Sequence, residues 1–438
     1  MHLLPFYFPI DGTDAGFDPI DHTQPDPRMG SWDDLGELAK GKDLMADLIV
    51  NHVSSRSPQF DDVRRNGDAS PHSDLFLTFG RVFPNGATES DLLQIYRIRP
   101  SLPFTTVKFE NGSERVFWTT FTSGQIDIDV SSDSGRAYLE DILKQFHAAG
   151  VRAIRLDAAG FAIKKSGTSC FMIPETFEFI SGLAEKAHLL GMEVLVEMHG
   201  QFEDQIQLAR RVDWVYDFAL PPLILHALYT HSAGALKHWL SMSPRNVVTV
   251  LDTHDGIGVI DAGGFLNADE IASLVETIHQ RTNDESRQAS GEAANNLDVS
   301  QVNCTFYDAL GRRDGEYRIA RALQFFSPGI PQVYYVGLLA GANDMELLRR
   351  TKEGRDINRH YYTGLEIRSE IQRPVVRSLF DLIRFRNTHP AFDGDFNLLP
   401  SSDPEITIEW RNNAHWARLH VDLMTMNVVI EASSEVSS

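Results

Sequence analysis

At 438 residues, 42% hydrophobic and 23% charged, the chain has ordinary globular composition and enough length for a large α/β core with inserted subdomains. Its formal net charge of −21 comes without any basic run, which argues against a nucleic-acid partner. No stretch is long enough to span a membrane, and the apolar opening "MHLLPFYFPIDG" lacks the basic start and cleavage site of a signal peptide. Cys170 and Cys304 make neither a disulfide framework nor a metal-site spacing, so the cytoplasm is the default location.

In chain order, "HLLPF" reads as a strand, followed by a helix through "SWDDLGELAKGK" with Ser31 as its N-cap. The next strand, "LMADLIV", stops at Asn51 and His52. From 54 to 130 a Pro/Gly/aromatic-rich stretch, too long for a connecting loop, predicts an inserted subdomain. A helix then runs from Ser134 to about Ala149, closed by Gly150. "AIRL", "EVLVE", "WVYDF", "VVTVL" and "QVYYV" follow as strands separated by helical segments, one of which starts at Pro174.

A second irregular insertion covers 257–312, with "ESRQASGEAANNLDVSQVN" as its lid. After a helix over 374–389, "EITIEW" and "HWARLHV" alternate and predict a small antiparallel piece. The expected division is a catalytic barrel over 1–395, interrupted by 54–130 and 257–312, and a small C-terminal β domain over 396–438. Seven strands alternating with helices fit an α/β fold of the (β/α)8 type, whose closure wants eight. Either a first strand-helix unit is missing or the count is one short.

The chemistry is written at the strand ends. "AIRLDAAGF" ends on Arg155 and Asp157, two residues apart and so on one face of the strand. Taken alone this would be a structural ion pair. However, "EVLVEMHG" ends on Glu197 and His199, "VTVLDTHDG" on His254 and Asp255, and "DLIVNH" on Asn51 and His52. In a parallel barrel these ends share the C-terminal rim, where active sites are built. Burying several like charges together is costly unless a function uses them.

These motifs, with "QIDID" at 125–129, resemble the ordered motif set of the α-amylase superfamily (glycoside hydrolase family 13). The stretches "DGTDAGFDPIDHT", "YRIRPSLPFT", "YDFALPPL", "LDTHDGIGVID", "NLDVSQVN" and "GRDINRHYY" are similar to its sucrose phosphorylase subfamily, and the likeness runs along almost the whole chain. That family usually begins with one more strand and helix, which matches the count of seven. The resemblance implies a TIM-type barrel that transfers glucosyl groups with retention, without cofactor or metal. Its substrates would be sucrose or a related α-glucoside, and inorganic phosphate. Since the subfamily contains homodimers, a second copy of the chain is an expected partner.

By the same resemblance Asp157 is the nucleophile, Glu197 the general acid/base and Asp255 the stabiliser of the oxocarbenium-like transition state. Arg155 should keep Asp157 ionised, whereas Glu197, with no cation beside it in sequence and an apolar strand before it, suits proton donation. Asp14, His52, His254 and Arg359 resemble the residues that hold the glucosyl hydroxyls, Phe17 and Phe121 its aromatic walls, and Gln125 and Arg155 belong to the same binding set. Arg99 resembles the acceptor-site arginine, Asp298 and Gln301 the lid, and His199 lines that side. Two positions depart from the pattern: Phe161 and Ser300 stand where these enzymes commonly carry tyrosine. Both border the acceptor, so sucrose 6-phosphate, glucosylglycerol and glucosylglycerate remain alternative substrates. A hydrolase and a non-catalytic binding relative remain alternatives of another kind; the latter typically lose the carboxylates kept here.

Overall fold

The computed structural model describes residues 1–11, 14, 16–97, 101–291 and 300–434. The chain divides into two units, the first made of 1–198 with 210–215 and the second of 199–209 with 216–438.

In the first unit, strands β1 (His2–Leu3), β2 (Met45–Ile49), β3 (Ala153–Asp157), β4 (Glu193–Val196) and the start of β5 (Trp214–Asp217) run parallel in sequence order. β2 pairs β3 from Met45↔Ala153 to Ile49↔Asp157, and β3 pairs β4 from Ala153↔Glu193 to Leu156↔Val196. Leu48, Ile49, Ile154, Leu156 and Val194 are fully buried, as expected of strands covered on both faces. Between the strands, α1 (Trp32–Ala39) starts in a capping box made by Ser31 and Asp34. Next, α2 (Asp133–Ala148) starts at Ser132, whose hydroxyl accepts from the Gly135 N–H, and is followed by Gly150 at φ +79°. Pro174 opens α3 (Pro174–Leu189) at a position where its missing N–H costs nothing.

Within 54–130 the chain forms short helices, among them Pro58–Asn66 and Glu89–Gln94, and an antiparallel pair of Phe104–Lys108 with Glu114–Trp118. Leu77, Val82, Phe83, Ile95 and Trp118 of this stretch form a small apolar cluster together with Cys170. Its two ends are tied where His52–Ser54 pairs antiparallel with Gln125–Asp127. That pairing brings His52 and Gln125 onto neighbouring strands.

In the second unit, β6 (Val247–Thr249) pairs parallel with β7 (Ile330–Pro331), so seven strands of the parallel kind occur among the described residues. The expected strand "QVYYV" is displaced: the ladder ends where the Gln332 N–H donates to Thr249 O, and Tyr335–Leu338 is helical. Its partner β6 has only three residues, so β-branched and aromatic content downstream finds no ladder to join.

Strands β8 (Asp395–Leu399), β9 (Glu405–Asn412), β10 (His415–Asp422) and β11 (Asn427–Ala432) form a four-stranded antiparallel sheet in sequence order. Ile406, Ile408, Leu419 and Val421, alternating along β9 and β10, are fully buried in one core with Leu323 and Phe326 of α4 (Asp314–Phe326). The Trp410 indole donates to Phe326 O at 2.8 Å, fixing sheet to helix. The two outer strands went unpredicted because their burial does not alternate cleanly: β11 is almost wholly exposed.

Candidate active site

The first unit gathers a group of acids around one arginine. Arg155 lies in the middle of β3, only 2% exposed, with its side chain on the same side as Asp157. Its Nη1 lies 3.0 Å from Asp157 Oδ1 and also contacts Asp47 of β2, while its Nη2 lies 2.7 Å from Glu197 Oε1. The strand register explains this convergence: Arg155 is level with Asp47 and Leu195, and the Glu197 N–H donates to Leu156 O. After Asp157 the strand breaks off sharply. Ala158 adopts φ +55°, a left-handed conformation that costs an alanine about 1–2 kcal/mol, and a 3-10 turn follows over Ala159–Phe161.

One guanidinium therefore faces three carboxyls, those of Asp47 and Asp157 buried and that of Glu197 partly so. Burial works against ionisation of Asp47, yet Arg155 and His2 (2.9 Å from Asp47 Oδ2) outweigh it and hold that carboxyl at about 2. Asp157 is pushed well above the usual carboxylate range, first by burial and then by the charge of Glu197; Arg155 offsets only part of this. The negative charge of Glu197 thus bears directly on the Asp157 carboxyl. The sequence-based expectation of an acid without a neighbouring cation is corrected here. The cation arrives from the adjacent strand, and the same residue serves both carboxyls.

Around this centre the first unit assembles the other candidates. The Arg155 guanidinium sits over the Phe17 ring at 5.5 Å. His52 Nε2 is 2.9 Å from Phe17 O and 3.1 Å from Gln125 Nε2, which in turn lies 3.4 Å from Asp14 Oδ2. Burial keeps His52 below its ordinary range, so this buried ring is neutral at pH 7. Phe121 packs on His52 at 5.1 Å and on Phe161 at 5.5 Å. Asp14, Phe17, His52, Phe121, Gln125, Arg155, Asp157 and Glu197 thus form one connected group.

The second unit holds a group of its own around Asp255. Asp255 Oδ1 lies 3.0 Å from Arg355 Nη1, 3.7 Å from Arg359 Nη2 and 3.7 Å from His254 Nε2. Burial would raise this carboxyl, but Arg355, His254 and Arg359 outweigh it and hold it far below the ordinary range. Arg359 is oriented by its Nε, which donates to His254 O at 2.9 Å. In the same unit His199 lies 2.9 Å from Asp261 and 3.4 Å from Gln301. Arg99 and Asp298 lie outside the described residues.

The family profile of the α-amylase catalytic domain matches residues 1–219. The sucrose phosphorylase of Agrobacterium vitis is 58% identical over 440 residues, covering 99% of this chain and 90% of that protein. The sucrose phosphorylase of Bifidobacterium adolescentis is 53% identical, covering 96% and 85%. The crystal structure of sucrose 6F-phosphate phosphorylase from Thermoanaerobacter thermosaccharolyticum superposes with a TM-score of 0.92 at 40% identity, covering 100% of this chain and 89% of that one. The chain belongs to the α-amylase family, in its sucrose phosphorylase branch. The parallel strands and helices above are therefore those of the family's TIM-type barrel, with a four-stranded antiparallel sheet at the C-terminal end.

Three residues of these two groups were not singled out from the sequence. Asp47 interrupts the apolar run of "LMADLIV", and a charge inside a buried strand was the available signal. Arg355 was passed over for Arg359, although both lie in "GRDINR" and a 3-10 turn over Gly354–Asn358 brings both to Asp255. Asp261 follows Asp255 in "LDTHDGIGVID" and had no visible partner in sequence. Phe161 is 8% exposed and packs on the rings of Tyr96, Phe121 and Phe171.

Proposed function

We propose that the chain is a retaining α-glucoside phosphorylase that converts sucrose and phosphate to α-D-glucose 1-phosphate and D-fructose. The observation that carries this reading is the Arg155 centre: a strand-end aspartate and glutamate share one buried guanidinium in a chain 58% identical to a sucrose phosphorylase. Asp157 attacks the anomeric carbon as the bond to the fructosyl oxygen breaks, and Glu197 gives that oxygen its proton. A phosphate oxygen then attacks the β-glucosyl-enzyme while Glu197 takes the phosphate proton, and Asp157 leaves. Two inversions give net retention. Asp255, held ionised by its arginines, stabilises the positive charge on the sugar in both transition states.

In this reading Asp14, His52, His254 and Arg359 hold the glucosyl hydroxyls between Phe17 and Phe121, with Gln125 supporting His52. Arg99, His199, Asp298 and Gln301 face the acceptor, where Arg99 supplies the cation that lets phosphate compete with water. No helix among the described residues is long and apolar enough to cross a membrane. We place the enzyme in the cytoplasm as a homodimer; free, buried Cys170 and Cys304 fit a reducing compartment.

A second reading, phosphorolysis of a related glucoside, is favoured by Phe161 and Ser300. Each removes a phenol hydroxyl that sucrose phosphorylases commonly present to the acceptor. The test is phosphate-dependent release of glucose 1-phosphate across sucrose, sucrose 6-phosphate, glucosylglycerol and glucosylglycerate. Sucrose should be turned over fastest; sugar release independent of phosphate would defeat both readings.

A further inference from the structure

In the second unit, Ile257–Gly258 pairs antiparallel with Gln301–Val302, setting Gly258 opposite Gln301. Three residues further on, Asp261 lies in a 3-10 turn over Ile260–Ala262 and is only 4% exposed. Its Oδ2 lies 2.9 Å from His199 Nδ1, and its Oδ1 accepts from the Gly200 N–H at 3.0 Å. A single buried carboxylate therefore grips both the ring and the backbone that follows it. The Phe218 ring lies face to face with the imidazole at 4.0 Å and 13°. Gly258 lets this pair close, since a Cβ there would collide with the Asp261 carboxylate and stand 3.2 Å from His199 Nδ1.

A carboxylate only accepts hydrogen bonds, so Nδ1 of His199 carries a proton, and in the neutral form of the ring Nε2 is an acceptor. The other edge agrees, because the Gln301 side-chain N–H donor lies 3.4 Å from Nε2. We propose that Asp261 is a positioning residue that fixes His199 in the Nδ1–H tautomer, so that Nε2 selects acceptors offering a hydroxyl hydrogen, a sugar O–H or the P–OH of hydrogen phosphate. This rests on the reading of His199 as an acceptor-side residue.

The test is Asp261→Asn, whose amide can donate to Nδ1 and release the other tautomer while its oxygen still receives Gly200. In 15N-histidine-labelled protein, with the His199 signals identified by their loss in His199→Gln, the protonated nitrogen should switch from Nδ1 to Nε2. The KM for phosphate, and for fructose in the reverse direction, should rise about tenfold, while kcat falls by less than about threefold. Gly258→Ala, which displaces the carboxylate without removing its charge, should raise the same KM values. A spectrum that keeps Nδ1–H in Asp261→Asn overturns the proposal, as does an equal loss in kcat and kcat/KM. The spectrum is read without substrate, so it tests Asp261 even if the chain has no phosphorylase activity.

Discussion

The Nη2 of Arg155 lies 2.7 Å from Oε1 of Glu197, closer than its Nη1 lies to Asp157 at 3.0 Å. One cation thus bridges two carboxyls that the proposed mechanism uses in opposite protonation states. The arginine fixes their positions, so the acid role proposed for Glu197 does not rest on isolation from charge.

It follows that Glu197→Gln should fail mainly where a leaving group needs a proton. Turnover of sucrose should fall by roughly 10³-fold or more, while formation of the glucosyl-enzyme from α-glucosyl fluoride, a good leaving group, should fall far less. Parallel steady-state measurements with the two donors check this; equal losses would remove Glu197 from the acid role.

Asp157 carries a stability consequence. Its carboxyl is raised by burial and by Glu197, so the folded state holds the proton more tightly than the unfolded chain does. Stability therefore falls as pH rises from the unfolded carboxylate range through the raised value, and above that value the ionised side chain costs the fold its full penalty. Asp157→Asn should abolish turnover by roughly 10⁴-fold or more and raise Tm at pH 7 by about 1–3 °C. The gain should shrink in acid. Thermal melts at pH 7 and pH 4 measure both; a variant less stable than wild type at pH 7 would contradict the electrostatic argument.

Arg355 Nη1 lies 3.0 Å from Asp255 Oδ1. Removing it in Arg355→Ala should let Asp255 climb towards its ordinary value, because burial, which raises it, is then less fully opposed. The acid limb of kcat/KM should move to higher pH, and kcat near neutrality should fall by about 10–100-fold. A pH–rate profile superimposable on that of wild type would place Arg355 outside the electrostatics of the site.

Arg99 is the acceptor-side cation of the proposed mechanism. Arg99→Ala should raise the KM for phosphate by about tenfold or more and shift products towards free glucose, since water then meets less competition for the glucosyl-enzyme. The ratio of glucose 1-phosphate to glucose measures it. An unchanged ratio would take Arg99 out of the acceptor site.

What the sequence disclosed followed periodicity. Arg155 and Asp157 share a face because strands repeat every two residues, and the Ser31 cap and the Pro174 start are local signals that the structure keeps. What stayed hidden was set by register between strands. Nothing in "EVLVE" shows that β4 slides against β3 so that Glu197 reaches Arg155, or that β6 is too short to pair "QVYYV". Asp261 and Arg355 acquire partners only through turns, whose direction depends on packing rather than on pattern.

The central claim is a covalent glucosyl bond to Asp157. Glu197→Gln should still be glucosylated by α-glucosyl fluoride but be slow to pass the sugar on, so the intermediate should accumulate. Intact-mass spectrometry of that variant after brief incubation, followed by peptide mapping, reads it directly. The account predicts a gain of one anhydroglucose unit, located on the peptide containing Asp157 and absent from the double variant Asp157→Asn/Glu197→Gln. An unmodified protein despite fluoride release, or a sugar mapped to any other residue, would contradict it.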